Sequence, residues 1–332
     1  MRTLILGYRD VRAALTPGDC AEAMAAVLAD RARGEAYMPL RSVMAPPGAP
    51  GFMGLMPAYR GGVEGQADGA FALKAICLMP GNPARGLDTH QGTVTLFGGQ
   101  DGMPTAILNA SAVTEIRTAA VTAVATRLLA REAATELAVI GAGVQARAHL
   151  EALAGVRAWR HTRLYAPTAE HARELAASLP PGVGEVSVAA SARDAIEEAD
   201  VVVTVTSSKQ PVLERTWLAP GAHVNAVGAS SPSARELDVD TVAAAALFCD
   251  SRESLRHEAG EYRLAVEQGA IAGDEHIRAE LGEVLAGVRE GRRDGAELTL
   301  FRSLGIGVED LAAAELAVAT ARRLGLGSEV EL

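Results

Sequence analysis

The chain has 332 residues, 49% hydrophobic and 4% aromatic, with a formal net charge of −10; that length and composition suit two globular domains cored by Ala, Val and Leu, and the acidic balance argues against nucleic acid or an anionic membrane as partner. Three widely spaced cysteines, Cys20, Cys77 and Cys249, build neither a disulfide framework nor a CxxC metal site, and no run reaches the ~18 apolar residues of a membrane span. The expectation is a soluble, cytoplasmic protein without a metal, its cysteines serving as small buried hydrophobes.

Thr3–Leu6 reads as a first strand. Thr16, Pro17 and Asp19 then supply an N-cap, a first-turn proline and an acid at the third position, and Cys20, Met24, Val27 and Leu28 follow at helical spacing. From Tyr37 to Phe97 short apolar runs alternate with Gly and Pro, the pattern of an antiparallel sheet with irregular loops. Two cations, Arg41 and Lys74, lie within these runs rather than in the turns. Gln100-Asp101-Gly102 predicts a hairpin turn and PTAILN (104–109) a strand. Ser111 is a candidate cap for a helix whose apolar positions Val113, Ile116, Ala120, Val124 and Leu128 step by three or four, with Arg117 one residue from that face.

Beyond Arg131 strands and helices alternate. Leu137–Ile140, TRLYA (162–166), EVSVAA (185–190), VVVTVT (201–206), AHVNAVG (222–228) and ALFCD (246–250) read as strands, with helices at TAEHARELAASL and at DAIEEA behind a Ser191 cap. Such alternation predicts a doubly wound parallel sheet. The last helices, ending in GVEDLAAAELAVATARRL, are expected to return to the first domain.

The chemistry concentrates where the first of these parallel strands ends, at Gly141-Ala142-Gly143-Val144-Gln145-Ala146. Gly141 allows a tight turn, Gly143 lets backbone N–H groups approach phosphates, Ala146 keeps helix and strand close, and the helix N-terminus faces the negative charge. A glycine turn can also serve packing alone; set between a strand and a helix, it reads as a dinucleotide site. In open α/β sheets ligands bind beyond the carboxyl ends of the strands, here at Tyr165-Ala166-Pro167-Thr168, Thr206-Ser207-Ser208 and Val227-Gly228-Ala229-Ser230. Ala166 stands where an acid would hold the ribose 2′-OH of NAD, which favours NADP; Arg163, His171 and Arg173 are candidates for the balancing positive charge.

Arg41, Lys74 and Arg117 sit in apolar or small-residue settings, where a lone cation is costly. Each taken singly reads as paired with Asp or Glu, or as snorkelling; taken together they read as a cluster that grips a substrate carboxylate. His90 could line the same pocket, or be a satisfied structural histidine.

GLMPAY (54–59), Lys74 with THQGTVTLF (89–97), AVTEIRTAAVTAVAT (112–126), VIGAGVQA (139–146), PGAHVNAVGASSPSARELD (220–238) and FRSLGIGVEDLAAA (301–314) occur in an order that resembles the ornithine cyclodeaminase/mu-crystallin family over nearly the whole chain, most closely its ketimine reductase branch. The resemblance implies an α/β fold. A Rossmann domain over 116–307 would stand beside an N-terminal α+β substrate and dimerisation domain over 1–115, completed by C-terminal helices in 308–332, and the protein would be a homodimer. It implies that Arg41, Lys74 and Arg117 bind the substrate carboxylate; His90 joins them as a substrate-binding candidate from its place in the sheet, and Lys74, Arg117 and Ser230 are the catalytic candidates. The resemblance also implies that Gly141, Ala142, Gly143, Val144, Gln145 and Ala146 form the cofactor turn and that Ser303, Leu304 and Gly305 lie beside the nicotinamide. With Thr118 and the strand-end positions Ala166, Thr168, Thr206, Ser207, Val227 and Gly228 these are the cofactor-binding candidates, for NADP by the Ala166 reading or else NAD. Cyclodeaminases carry an Asp where Ser230 stands. A serine does not titrate near neutral pH, and losing a general base costs ~10²–10⁴-fold. The expected activity is therefore NAD(P)H-dependent reduction of a cyclic ketimine carboxylate, Δ1-piperideine- or Δ1-pyrroline-2-carboxylate. The alternatives are an ornithine or lysine cyclodeaminase with bound NAD+, an alanine-type dehydrogenase, and a non-catalytic crystallin-like binding protein.

Overall fold

The computed structural model describes residues 2–62, 68–179 and 181–331. The chain divides into two compact units, Met1–Arg117 with Gly305–Leu332, and Thr118–Leu304.

The first unit is built on a mixed sheet in the order Ser328–Glu331, Arg2–Leu6, Pro104–Asn109, His90–Gly98, Ala70–Leu78, Phe52–Arg60, Ala36–Tyr37, with Ser42–Met44 also paired to Phe52–Arg60. Neighbours are antiparallel except Arg2–Leu6 beside Pro104–Asn109. One face is covered by the helices Pro17–Arg33 and Gly307–Leu324. Thr16 caps the first of them by accepting the Asp19 N–H at 3.1 Å, and Gly34 ends it in the left-handed region at φ 81°. The hairpin turn forms as expected, Gly98 N–H donating to Met103 C=O at 2.9 Å with Gly102 at φ 68°. The helix Ala110–Leu129 differs at its start: Asn109 Oδ1 caps it at 3.0 Å from Ala112 N, whereas Ser111 lies inside and turns its hydroxyl to the His90 carbonyl. An Asn one residue before the helix can reach the first-turn N–H groups, which a residue within the helix cannot.

The second unit is a wholly parallel eight-stranded sheet in the order Glu185–Val188, His161–Tyr165, Glu136–Ile140, Val201–Thr204, His223–Ala226, Thr299–Arg302, Ala246–Cys249, Ile277–Glu280. Alternate residues of one strand feed opposite cores. Ala138 and Ile140 join Val202 and Val224 on one face, while Leu137 and Val139 join Val201, Ala146 and Leu150 on the other. Both faces are therefore apolar and the central strands are buried throughout, as a doubly wound sheet requires. Six strands were legible in sequence; Ile277–Glu280 and Thr299–Arg302 were not. Each has only four residues, IRAE and TLFR, and each carries an arginine, so neither gives an apolar run long enough to read. Strand order reverses between Glu136–Ile140 and Val201–Thr204. That is where such sheets open a crevice at the carboxyl ends of their strands.

Candidate functional site

The glycine turn of the second unit has the geometry its sequence predicts. Gly141 stands at φ 125°, a backbone that L side chains rarely adopt, and an added Cβ would lie 2.7 Å from the Val205 carbonyl. Its N–H donates to Tyr165 C=O at 2.8 Å, tying the turn to the next strand. Gly143 is the N-cap of the helix Val144–Leu153, contributes no side-chain hydrogen bond, and has nothing within 4 Å of where a Cβ would stand. A side chain there would fill the space over the first-turn N–H groups, so the turn fits a dinucleotide pyrophosphate. Ala146 is fully buried against the sheet, and Ala142, Val144 and Gln145 complete the turn, Val144 exposed. Ala166 is buried at the end of His161–Tyr165, and Thr168 is the exposed N-cap of Ala169–Ala176. Of the three basic candidates beside them, Arg163 is engaged by Glu136 at 2.9 Å and Arg173 by Glu170 at 3.1 Å; His171 is exposed.

A carboxylate absent from the sequence-based set organises the next two strand ends. Glu236, fully buried, accepts from Thr204 Oγ1 (3.0 Å), Thr206 N (2.6 Å) and Oγ1 (2.8 Å), Gly228 N (2.7 Å) and Ala229 N (3.3 Å). Thr206, expected among the cofactor residues, thus spends its hydroxyl proton and its N–H on Glu236. Gly228 is glycine because a Cβ would overlap the Thr206 backbone. Burial pushes the Glu236 carboxyl up, while the Thr206 N–H and Arg302 hold it down. Arg302, also buried, donates to the carbonyls of Ala226 (2.9 Å), Ser303 (2.6 Å) and Ala229. Ala229 is therefore tied at both its N–H and its C=O, and Ser230 follows it, exposed, as does Ser207 on the neighbouring loop. Val227 and Thr118 are buried; Ser303 is buried, and Leu304 N donates to Asp250 at 2.6 Å.

The first unit brings its cations together on the inner face of the sheet. Lys74 lies in register between Met56 and Val94, so the sheet itself offers it no polar partner. Its Nζ reaches Asp310 Oδ1 at 3.1 Å, on the helix Gly307–Leu324. Arg117 Nε donates to the same oxygen at 3.0 Å and its Nη1 to Glu309 Oε2 at 2.8 Å. Arg41 Nη2 donates to the Gly305 carbonyl at 2.7 Å. Gly305 stands at φ 72°, and a Cβ there would overlap the Arg117 guanidinium. Lys74 and Arg117 are thus paired with carboxylates, and they are clustered as well. Burial pushes the Lys74 amine down to about 8, with Arg117 and Arg41 acting in the same direction and Asp310 opposing. His90 is half-buried at the start of the adjacent strand and is also lowered, chiefly by burial and then by Lys74.

The sequence profile of the Ornithine cyclodeaminase/mu-crystallin family matches residues 1–323. The chain belongs to this family. It is 38% identical over 283 residues to ketimine reductase mu-crystallin of Mus musculus, covering 85% of each chain. Among solved structures it resembles the Δ(1)-pyrroline-2-carboxylate reductase of Thermococcus litoralis, in complex with NADH and L-proline (TM-score 0.93, 33% identity, 99% of this chain and 100% of that one). It also resembles an archaeal alanine dehydrogenase dimer with bound NAD (TM-score 0.92, 32% identity, 100% of both).

Within the family motif FRSLGIGVEDLAAA, sequence reasoning passed over Glu309 and Asp310, and within SARELD it passed over Glu236. The available signal was the one applied to Lys74 and Arg117: a buried cation requires a counter-charge. Two adjacent acids opening an otherwise alanine-rich helix were the nearest candidates in sequence.

Proposed function

We propose that the protein is an NAD(P)H-dependent reductase of a cyclic ketimine carboxylate, forming the cyclic amino acid. The chain is an NAD(P)-dependent oxidoreductase of its family, and the substrate is the part inferred here. The observation that carries the reading is the cluster of Arg41, Lys74 and Arg117 against Glu309 and Asp310. Three cations gathered at one site are the complement of a substrate carboxylate. Arg41 and Arg117 hold that carboxylate by charge-assisted hydrogen bonds worth ~1.5–3 kcal/mol each. Lys74, whose amine titrates near 8, is poised to give a proton to the imine nitrogen: an N–H bond breaks at Lys74 and one forms on the substrate. A reduced nicotinamide supplies the hydride to the carbon of the C=N bond. Ser230, next to the tethered Ala229, offers a hydroxyl but no general base, which favours reduction over loss of ammonia.

The same proposal assigns the cofactor to the second unit, through the turn Gly141–Ala146 and the adjoining strand ends. Ala166 in the acid's place favours NADPH; with Arg163 and Arg173 already paired, that preference rests on missing repulsion alone. It also includes a homodimer in the cytoplasm. The outer face of the first sheet sets Met53 beside Cys77, Pro57 beside Leu73, and Phe71 between Tyr59 and Phe97 in register, an apolar surface that calls for a cover. No helix among the described residues is long and apolar enough to cross a membrane.

The test is a panel of Δ1-piperideine-2-carboxylate, Δ1-pyrroline-2-carboxylate, pyruvate with ammonium, and ornithine, each with NADPH and NADH and, for ornithine, NAD+. Oxidation of NADPH by a cyclic imine is expected; no oxidation with either imine at any pH defeats the reading. The full-length likeness to alanine dehydrogenase favours a second reading, for which activity with pyruvate and ammonium alone would speak. Proline and ammonia from ornithine without net cofactor turnover would instead mark a cyclodeaminase.

A further inference from the structure

We propose that Asp310 is a positioning residue of the cation cluster: its carboxylate bridges Lys74 and Arg117, sets where both point, and keeps Lys74 an ammonium ion. The role in turnover rests on the imine-reductase reading; the effect on Lys74 does not.

One oxygen, Asp310 Oδ1, receives both Lys74 Nζ at 3.1 Å and Arg117 Nε at 3.0 Å, while Oδ2 is buried with no hydrogen-bond partner. The second oxygen is thus an acceptor buried beside the two cations. Asp310 also lies in the first turn of Gly307–Leu324, where the helix dipole favours its negative form. The groups that bear on Lys74 are Asp310 and Glu309 from this helix, Arg117 from Ala110–Leu129, Arg41 from the segment before Ser42–Met44, and His90 from the neighbouring strand. Burial, Arg117 and Arg41 all drive the amine toward its neutral form, and Asp310 opposes them. The choice of side chain at 74 points the same way. Lys+Arg number 31, yet only Lys74 and the exposed Lys209 are lysines. An arginine at 74 would stay charged without help, whereas a buried lysine titrates and needs a partner to set where.

The chain's two lysines make the test direct. Full-length protein labelled at the lysine Nζ with 15N gives two resonances to titrate, Lys209 serving as reference. In Asp310→Asn the pKa of Lys74 is expected to fall by ~1–3 units, the effect of removing an adjacent opposite charge. The alkaline limb of kcat for imine reduction should move down with it, because Lys74 loses its proton at lower pH. Glu309→Gln, which acts through Arg117, should move Lys74 less. An unmoved or raised Lys74 pKa in Asp310→Asn, or an equal shift in Glu309→Gln, overturns the proposal. Should Asp310→Asn not fold, Asp310→Glu decides: Lys74 should titrate as in the parent while kcat drops at least tenfold at every pH, and parental kcat would overturn the positioning role. The resonance titration uses no substrate, so it stands apart from any failure of the imine reading.

Discussion

The two units bury ionisable groups to opposite ends. In the second, Glu236 receives five hydrogen bonds from two strand ends, and the buried histidines are matched by neutral partners: His149 by Thr122 Oγ1 at 3.0 Å and Gln145 C=O at 2.7 Å, His223 by Thr299 Oγ1 at 2.9 Å and Asn225 Oδ1 at 3.2 Å. In the first, Lys74 shares a single carboxylate oxygen with Arg117 on a face that is otherwise apolar. A buried group matched on every side is locked in one protonation state and serves as architecture. One that shares its counter-charge with a second cation, and whose pKa burial pushes down to about 8, is available for chemistry.

Substitutions that separate the two kinds of burial sharpen the contrast. Lys74→Met should lower kcat for imine reduction by ~10²–10⁴-fold, the usual contribution of a positioned proton donor, with NADPH binding by fluorescence unchanged; loss of cofactor binding would show that the first unit's cluster is structural too. Glu236→Ala strands five donors and should cost ~3–5 kcal/mol in denaturant unfolding, the penalty of breaking a buried charged network; a loss under 1 kcal/mol would make Glu236 incidental.

Acid should attack the second unit through its histidines. Burial pushes His149 down to about 4 and His223 to about 3, so the unfolded chain binds protons first as pH falls below the ordinary histidine value. Their contribution is fully present above pH ~6.5 and is lost at up to ~1.4 kcal/mol per pH unit for each histidine between there and the folded pKa values. His149→Gln should remove its share of this slope in unfolding titrations; an unchanged slope would mean that His149 protonates within the fold. The smallest effect belongs to Ala166→Asp, expected to lower kcat/KM with NADPH by about tenfold while sparing NADH, because the new acid repels a 2′-phosphate. Equal loss with both cofactors would place Ala166 away from the ribose.

Much of the second unit was legible because its signals are local. Leu137–Ile140 running into Gly141-Ala142-Gly143 is a strand and a turn whatever surrounds it, and the valines of 201–203 could only be a strand buried on both faces. The two four-residue strands were missed because an arginine in each is masked by distant partners. Arg278 pairs with Glu297 at 2.7 Å, and Arg302 pairs with Glu261 while reaching three carbonyls. The positions of Arg41, Lys74 and Arg117 stood out for being cations in apolar settings, but their partners did not.

The sequence by itself determined the parallel sheet and the glycine turn, which follow from apolar periodicity and sterics within a short window; it singled out the three cations by their apolar settings, and it carried the family through motifs spread along the whole chain. Only the tertiary structure decided that Lys74 meets Asp310, 236 residues away, that Arg117 divides itself between Asp310 and Glu309, and that Thr206 answers to Glu236. A buried charge must find its counter-charge wherever the fold has excluded water, and which residues share that space is a property of the packed chain.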